Sequence, residues 1–325
     1  MQSHTPESPA TPGSFAFWRA YLVTFRPYLS MLSGASGLLG LALVGDLTMW
    51  QLVAGTIAFL PAYGFGQALT DVFQTDTDAL SAPYRPLPRG VIRRRDVAIV
   101  SLAGLGCSVL ILTFFNPAAL PVGALIVAGL VCYSWFKRRW WAGPAWNAWI
   151  VALLPLMGAL CGGGSIAETL SRRGVRAAMA AAFFSYTVFV LVGYFKDITA
   201  DRATGYRTLP VVFGWRPATV ASMALAAGAV AAWVWAWTEL GAVANFTVTL
   251  LAASGLLGLI LAHRELLRQH DERLAYRAVA WSARAHVHLQ LALAAAADAR
   301  LSLVALLGAA VFELMLPLRP DRSQI

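Results

Sequence analysis

Apolar runs long enough to cross a bilayer recur along this chain, and no other feature restricts its fold as much. They fall at about residues 28–45, 49–70, 97–115, 118–136, 146–162, 177–195, 218–238, 242–262 and 301–317. Each is close to the ~20 residues that a helix needs to span ~30 Å of hydrocarbon. Inside lipid the backbone polar groups must be satisfied by the segment itself, which favours helices. With 58% hydrophobic and 13% charged residues, the composition departs from the ~25% charged residues of soluble domains. A soluble globule is excluded. The expected fold is all-α, a multi-pass transmembrane helical bundle of about nine spans.

The segments between the runs give organisation and sidedness. Residues 1–20 begin Pro-, Ser- and Thr-rich, with no basic n-region or apolar h-region, so they read as a disordered polar tail and not a signal peptide. Residues 21–317 form the membrane domain and 318–325 a short tail. The stretch 264–300 carries many charges and reads as a loop with an interfacial amphipathic helix. With the N-terminus inside, only Arg172, Arg173, Arg176, Arg319 and Arg322 of the 25 basic residues fall on the outer side. Basic residues concentrate on the cytoplasmic side of membrane proteins. The expectation is a cell-membrane protein with its N-terminus cytoplasmic and its C-terminus on the opposite side. The net charge of +9 then belongs to loops that face anionic lipid, not nucleic acid. Cys107, Cys132 and Cys161 lie in apolar runs without metal-ligand spacing and read as reduced, small hydrophobes.

Two inner connections hold much of the acid. The first contains Thr70, Asp71, Gln74, Asp76 and Asp78, and runs on to Arg85-Pro86-Leu87-Pro88-Arg89-Gly90. The second contains Lys196, Asp197 and Asp201, and runs on to Gly205-Tyr206-Arg207-Thr208-Leu209-Pro210. Asp197 and Asp201 share one helix face at i, i+4, where like charges repel unless a cation intervenes. Mg²⁺ suits such a place, because it takes hard oxygen ligands from one or two carboxylates, water and substrate phosphate. Arg85, Lys137, Lys196 and Arg207 could meet the phosphate oxygens. The two connections also echo one another. Each places an acidic helix end before an Arg-x-Leu-Pro turn, as a duplicated element would.

At these residues the chain resembles the UbiA superfamily of intramembrane prenyltransferases, over roughly residues 20–317. The residues that match its first motif are Asp71, Asp78, Arg85, Pro86, Pro88 and Gly90. Those that match its second are Asp197, Asp201, Gly205, Thr208, Leu209 and Pro210. Arg26-Pro27, Tyr133-Ser134, Lys137 and Asn147 match further positions. The resemblance implies a central apolar cavity open to the cytoplasmic side, and Mg²⁺ held by Asp71, Asp78, Asp197 and Asp201, with Gln74 and Asp76 as further oxygen donors. It implies that an allylic isoprenyl diphosphate is ionised there and its prenyl group passed to an aromatic or other lipophilic acceptor. The chain has Thr70 and Gln74 where the family has Asn and Asp. The membrane terpene cyclases of the same superfamily also lack that Asp, so cyclisation without an acceptor is the alternative. A transporter or non-catalytic membrane protein is a third reading.

Four aromatic residues, Tyr63, Phe65, Tyr194 and Phe195, lie near the motifs and could face a carbocation. Gly34, Gly37 and Gly40 sit within an apolar run and predict close helix contact, not a phosphate loop. His286 and His288 point apart on a helix, make a poor metal pair, and are expected at the interface.

Overall fold

The computed structural model describes residues 8–241, 244–322 and 324. Its helices are α1 (Phe15–Phe25), α2 (Met31–Ala42), α3 (Met49–Val72), α4 (Thr75–Ser81), α5 (Arg94–Phe115), α6 (Ala119–Arg139), α7 (Gly143–Leu160) and α8 (Ile166–Ser171). They continue with α9 (Arg173–Gly193), α10 (Ile198–Ala203), α11 (Leu209–Phe213), α12 (Trp215–Glu239), α13 (Phe246–Arg268), α14 (Tyr276–Ala297) and α15 (Ser302–Met315). Among the described residues the only strand-like pairing is an isolated bridge between Ala10 and Ile92. Among the described residues, eight helices are long and apolar enough to cross a membrane. The short, buried α2 and the polar α14 complete the bundle.

Local chemistry sets several of these elements. A capping box between Thr48 and Gln51 starts α3. Within α3, Pro61 removes one ladder donor, and Ser33 of α2 enters the ladder just beyond it. The Ser33 hydroxyl donates to Phe59 O at 2.6 Å and accepts from Tyr63 N at 2.9 Å, an insertion of the kind that bends helices. Glycines bring α2 onto its neighbours, as their spacing predicts. A Cβ at Gly37 would lie 2.1 Å from the Phe59 ring, and one at Gly158 of α7 would lie 2.7 Å from Gly37 O.

The stretch 264–300 is not a loop. It contains the whole of α14, which runs from the face carrying the aspartates to the opposite one. Its first residue, Tyr276, lines a hollow together with Lys196 and Asp197. Beyond its far end, Arg300 donates to Gly45 O at 3.0 Å. Hydropathy misses α14 because it scores polar side chains as if they met lipid, and here they meet each other. His286 reaches Ser185 at 2.8 Å and Ser36 at 3.2 Å, and His288 reaches Ser254 at 2.8 Å. Arg284 pairs with Glu313 of α15 at 2.9 Å. Both histidines are therefore buried and not interfacial, and they serve different neighbours, so they form no metal pair.

This extra crossing brings the last described stretch of the chain to the same face as Arg26 and Asp71. α15 returns to the aspartate face, where Tyr28 Oη donates to Gln324 O at 2.7 Å and Gln324 Nε2 donates to Val23 O at 2.8 Å. Arg319 and Arg322 thereby join the basic residues of that face, and Arg300 leaves them. The expected polar tail is also shorter than 20 residues. Ser14 caps α1, whose Phe17 and Tyr21 are buried, while residues 1–7 lie outside the described set.

The crossing of α2 on α7 leaves no room for a larger side chain. Gly158→Leu is expected to destabilise the protein by about 1–3 kcal/mol, the usual cost of overpacking, read as a lower thermal unfolding midpoint in detergent.

Candidate active site

Asp71 sits in the last turn of α3, and each of its oxygens has a partner. Gln67, one turn earlier, donates to Oδ1 at 2.6 Å, and Arg26 donates to Oδ2 at 2.7 Å. Arg26 ends α1 with φ +55°, the only positive φ of a non-glycine residue among those described. It precedes Pro27, which disfavours the αR region for the residue before it. Strain of this kind persists where surrounding contacts overdetermine it, and here it turns a buried guanidinium onto Asp71.

Asp78 lies on α4, and Arg85 donates to its Oδ1 at 2.6 Å. Burial raises the Asp78 carboxyl above its ordinary range despite the opposing pull of Arg85. Asp197 follows α9 and is gripped by Lys196 at 2.8 Å. Burial pushes Asp197 upward, but the charges of Lys196, Lys137 and Arg85 outweigh it and hold the carboxyl below its usual value. Asp201, on α10, is fully buried, and Lys137 reaches it at 3.2 Å. Burial raises its carboxyl too.

The glycine of the second motif has a definite task. Gly205, with φ +77°, ends α10. Tyr206 N then bonds to Asp201 O at 2.8 Å and Gly205 N to Arg202 O at 3.3 Å, the pairing of a Schellman motif. That turn buries the Tyr206 ring, over which Lys137 Nζ sits at 4.7 Å. The same ammonium lies 4.9 Å from the Tyr194 ring. Lys137 is thus held between two aromatic faces.

These residues enclose one pocket of about 110 Å³ at the aspartate face. Asp71, Asp78 and Asp197 line it together with Arg26, Arg85, Lys137 and Lys196. The two motif regions therefore share a hollow. Short contacts between the motifs agree, as Thr77 of α4 meets Thr204 at 2.9 Å. Toward the bundle interior, Tyr63, Gln67, Thr70, Asn147 and Tyr186 are shared with an apolar pocket lined by Leu105, Ile126, Leu130, Ile150 and Leu154. A charged mouth thus shares a wall with an apolar hole.

Some expected residues lie elsewhere. Arg207 is exposed and does not line the pocket, because the Gly205 turn directs the chain outward there. Asp76 points to the surface and pairs with Arg138 at 2.7 Å. Asp201 lies behind the pocket wall and reaches it only through Lys137. Phe65 packs on Phe25 with centroids 5.0 Å apart, and Phe195 on Trp215 at 4.7 Å, so neither ring lines the pocket. Gln67, Tyr186 and Phe189 do line it, and no motif marked them. A Gln one turn before the first aspartate was the available signal.

The donors suit Mg²⁺. They are hard oxygens, and Asp78 Oδ2 is buried without a hydrogen bond. Among the described residues no three acidic, His or Cys side chains converge as a ready-made cage. Mg²⁺ does not need one, since substrate phosphates and water usually complete its shell. The pocket also suits a phosphate group, because Arg26 Nε and Arg85 Nε are buried without partners.

A model of the UbiA prenyltransferase family matches residues 30–284. The chain belongs to that family. It is an intramembrane prenyltransferase, and the transporter reading falls away. Among its relatives, digeranylgeranylglyceryl phosphate synthase of Halobacterium salinarum is 30% identical over 239 residues, 70% of this chain and 84% of that one. Protoheme IX farnesyltransferase of Geobacter sulfurreducens is 36% identical over 153 residues, 45% of this chain and 56% of that one. The fold matches that of a UbiA homologue from Aeropyrum pernix with TM-score 0.70 and 20% identity, covering 81% of this chain and 96% of that one. It also matches a UbiA homologue from Archaeoglobus fulgidus bound to GPP and Mg²⁺, with TM-score 0.59 and 17% identity, covering 85% and 99%.

The placement of the cations in this prenyltransferase separates two substitutions. Lys137→Met leaves the buried Asp201 charge unpaired and should cost about 3–5 kcal/mol of stability, together with diphosphate release. Arg207→Gln, at an exposed position, should change stability by no more than about 0.5 kcal/mol and leave release near wild type. Thermal unfolding and a diphosphate-release assay check both.

Proposed function

We propose that this UbiA prenyltransferase binds an allylic isoprenyl diphosphate with its diphosphate among Arg26, Arg85, Lys137 and Lys196. The prenyl chain passes Tyr63 and Tyr186 into the apolar pocket, and the prenyl group goes to a lipophilic acceptor. One observation carries this reading: three carboxylates and four cations line a single pocket that shares five lining residues with an apolar one. The relatives named digeranylgeranylglyceryl phosphate synthase and the homologue bound to GPP and Mg²⁺ support the same substrate class.

Asp71, Asp78 and Asp197, with the amide oxygen of Gln74, would hold Mg²⁺, which when bound neutralises charge on the leaving diphosphate. The chain's own residues do the remainder. An ammonium has three donors, and Lys137 spends two of them on Asp201 and Gln74, each at 3.2 Å. The third is left for a phosphate oxygen. Arg26 and Arg85 each keep one hand on a carboxylate and present the unpartnered Nε to the anion. Such preset charges act strongly where water is excluded. As the allylic C–O bond breaks, its electron pair leaves with the diphosphate. The rings of Tyr63, Tyr186 and Tyr194 then face the cation until the acceptor supplies electrons and loses a proton.

The aspartate face is assigned to the cytoplasm, because the basic residues concentrate there. On this assignment both described ends of the chain, at Ser8 and Gln324, would be cytoplasmic.

Purified protein given Mg²⁺ and isoprenyl diphosphates of several lengths should release diphosphate and form a prenylated product when a lipophilic acceptor is added. Asp78→Ala and Asp197→Ala should each lower the rate by about 100-fold or more, as loss of a preorganised electrostatic group does. A cyclic hydrocarbon formed without acceptor would instead establish the cyclisation that Gln74 favours. Absence of release under every condition overturns both reactions.

A further inference from the structure

Away from the active site, α12 and α13 diverge on the bilayer side of the bundle. Near the aspartate face they touch, where Trp215 Nε1 donates to Leu266 O at 2.9 Å and Ser222 meets His263 Nε2 at 3.0 Å. Farther along, α12 turns to α14, and Trp233 Nε1 donates to Leu289 O at 3.1 Å. α13 is drawn onto α14 by its glycines. A Cβ at Gly255 would lie 2.7 Å from the Leu289 side chain, and one at Gly258 would lie 2.9 Å from Trp281 O. Between the two helices Ala226 and Ala227 are too small to fill the wedge. A hollow of about 770 Å³ remains, with an almost wholly apolar lining.

Its charged end is one-sided. Arg264 and Arg268 line it at the aspartate face and are exposed, one helical turn apart. Two like charges at i, i+4 repel. Arg216, also exposed, starts α12 next to them, because its neighbour Trp215 is bonded to Leu266. Among the described residues none of these three guanidiniums is in a salt bridge. The lining of α13 runs from Leu256 to Arg268, ~18 Å of helix at 1.5 Å per residue. That is close to one leaflet of a hydrocarbon core ~30 Å thick. A favourable helix dipole accounts for basic residues in the last turn, but not for an apolar trough of leaflet depth leading up to them.

We propose that this trough binds one anionic phospholipid of the leaflet beside the aspartate face. An acyl chain lies along Met223, Val230, Leu256 and Ile260, and the headgroup phosphate bridges Arg264 and Arg268. Charge complementarity selects the lipid class, since a guanidinium pair offers bidentate donors to a phosphate. A zwitterionic lipid carries its own cation toward the same pair and gains less. The wedge has the same depth as the chain it holds.

The test uses the full chain in mild detergent, titrated with phosphatidylglycerol or with phosphatidylcholine of the same chain length, and follows the thermal unfolding midpoint. Phosphatidylglycerol should raise the midpoint saturably and phosphatidylcholine should not. Arg264→Gln with Arg268→Gln should weaken the half-saturating concentration about tenfold or more, which corresponds to ~1.4 kcal/mol, while diphosphate release persists. Ala227→Phe, which fills the wedge, should abolish the increment without touching a charge. Arg94→Gln with Arg95→Gln, at exposed positions elsewhere, should retain it. Four results overturn the site: equal stabilisation by phosphatidylcholine, an unchanged increment in the Arg264/Arg268 variant, an equal loss in the Arg94/Arg95 control, or full reproduction by inorganic phosphate. Stabilisation that follows protein concentration and not lipid identifies a second copy as the occupant and also overturns it.

Discussion

Four carboxylates are largely withdrawn from water at one end of the bundle, and each is matched to one cation, two of them from distant segments and two from nearby in the chain. Arg26 holds Asp71, Arg85 holds Asp78, Lys196 holds Asp197 and Lys137 holds Asp201. An unpaired buried charge is costly, so these pairs tie α1 to α3, α6 to α10, and α4 to the segment that follows it. The centre is balanced, and three of the pairs line the pocket, while Asp201 stays behind its wall on Lys137. In the proposed function Asp71, Asp78 and Asp197 would hold the metal and the cations beside them the diphosphate, without new groups having to be brought in.

The bundle around this centre follows from close packing more than from apolar pattern. In lipid, helices associate through small residues and buried polar ties. Both occur here. Gly37 and Gly158 let α2 and α7 approach backbone to backbone, and the pairs Ser185–His286, Ser254–His288 and Ser222–His263 join helices that no sequence motif links. Ser33, inserted beside Pro61, adjusts α3 just where Tyr63 must face the pocket. The polar helix α14 belongs to the same economy. Its side chains are tolerable in the membrane only because α2, α9, α13 and α15 supply partners.

Much of the site was legible because its chemistry is written in clusters. Asp71, Asp78, Asp197, Arg85, Lys137 and Lys196 all line one hollow, as their charge clusters and the family resemblance led one to expect. Arg207 did not follow, although its motif echoes that of Arg85. The positive φ of Gly205 reverses the chain after α10 and leaves Arg207 at the surface, and Lys137 from α6 takes the place beside Asp201. Gln67, Tyr186 and Phe189 carry no signal of their own in a single sequence. An amide or a ring within an apolar helix reads as packing until the facing helix is known.

Hydrocarbon length and backbone satisfaction made a helical membrane bundle unavoidable from the residues alone, and hard oxygens set beside basic side chains marked where its chemistry sits. Only the folded arrangement decided which of them share a pocket, because that depends on contacts between helices far apart in the chain. It also decided how often the chain crosses. Whether a polar stretch such as 276–297 can lie inside the bundle is set by the partners waiting there, and these belong to other helices.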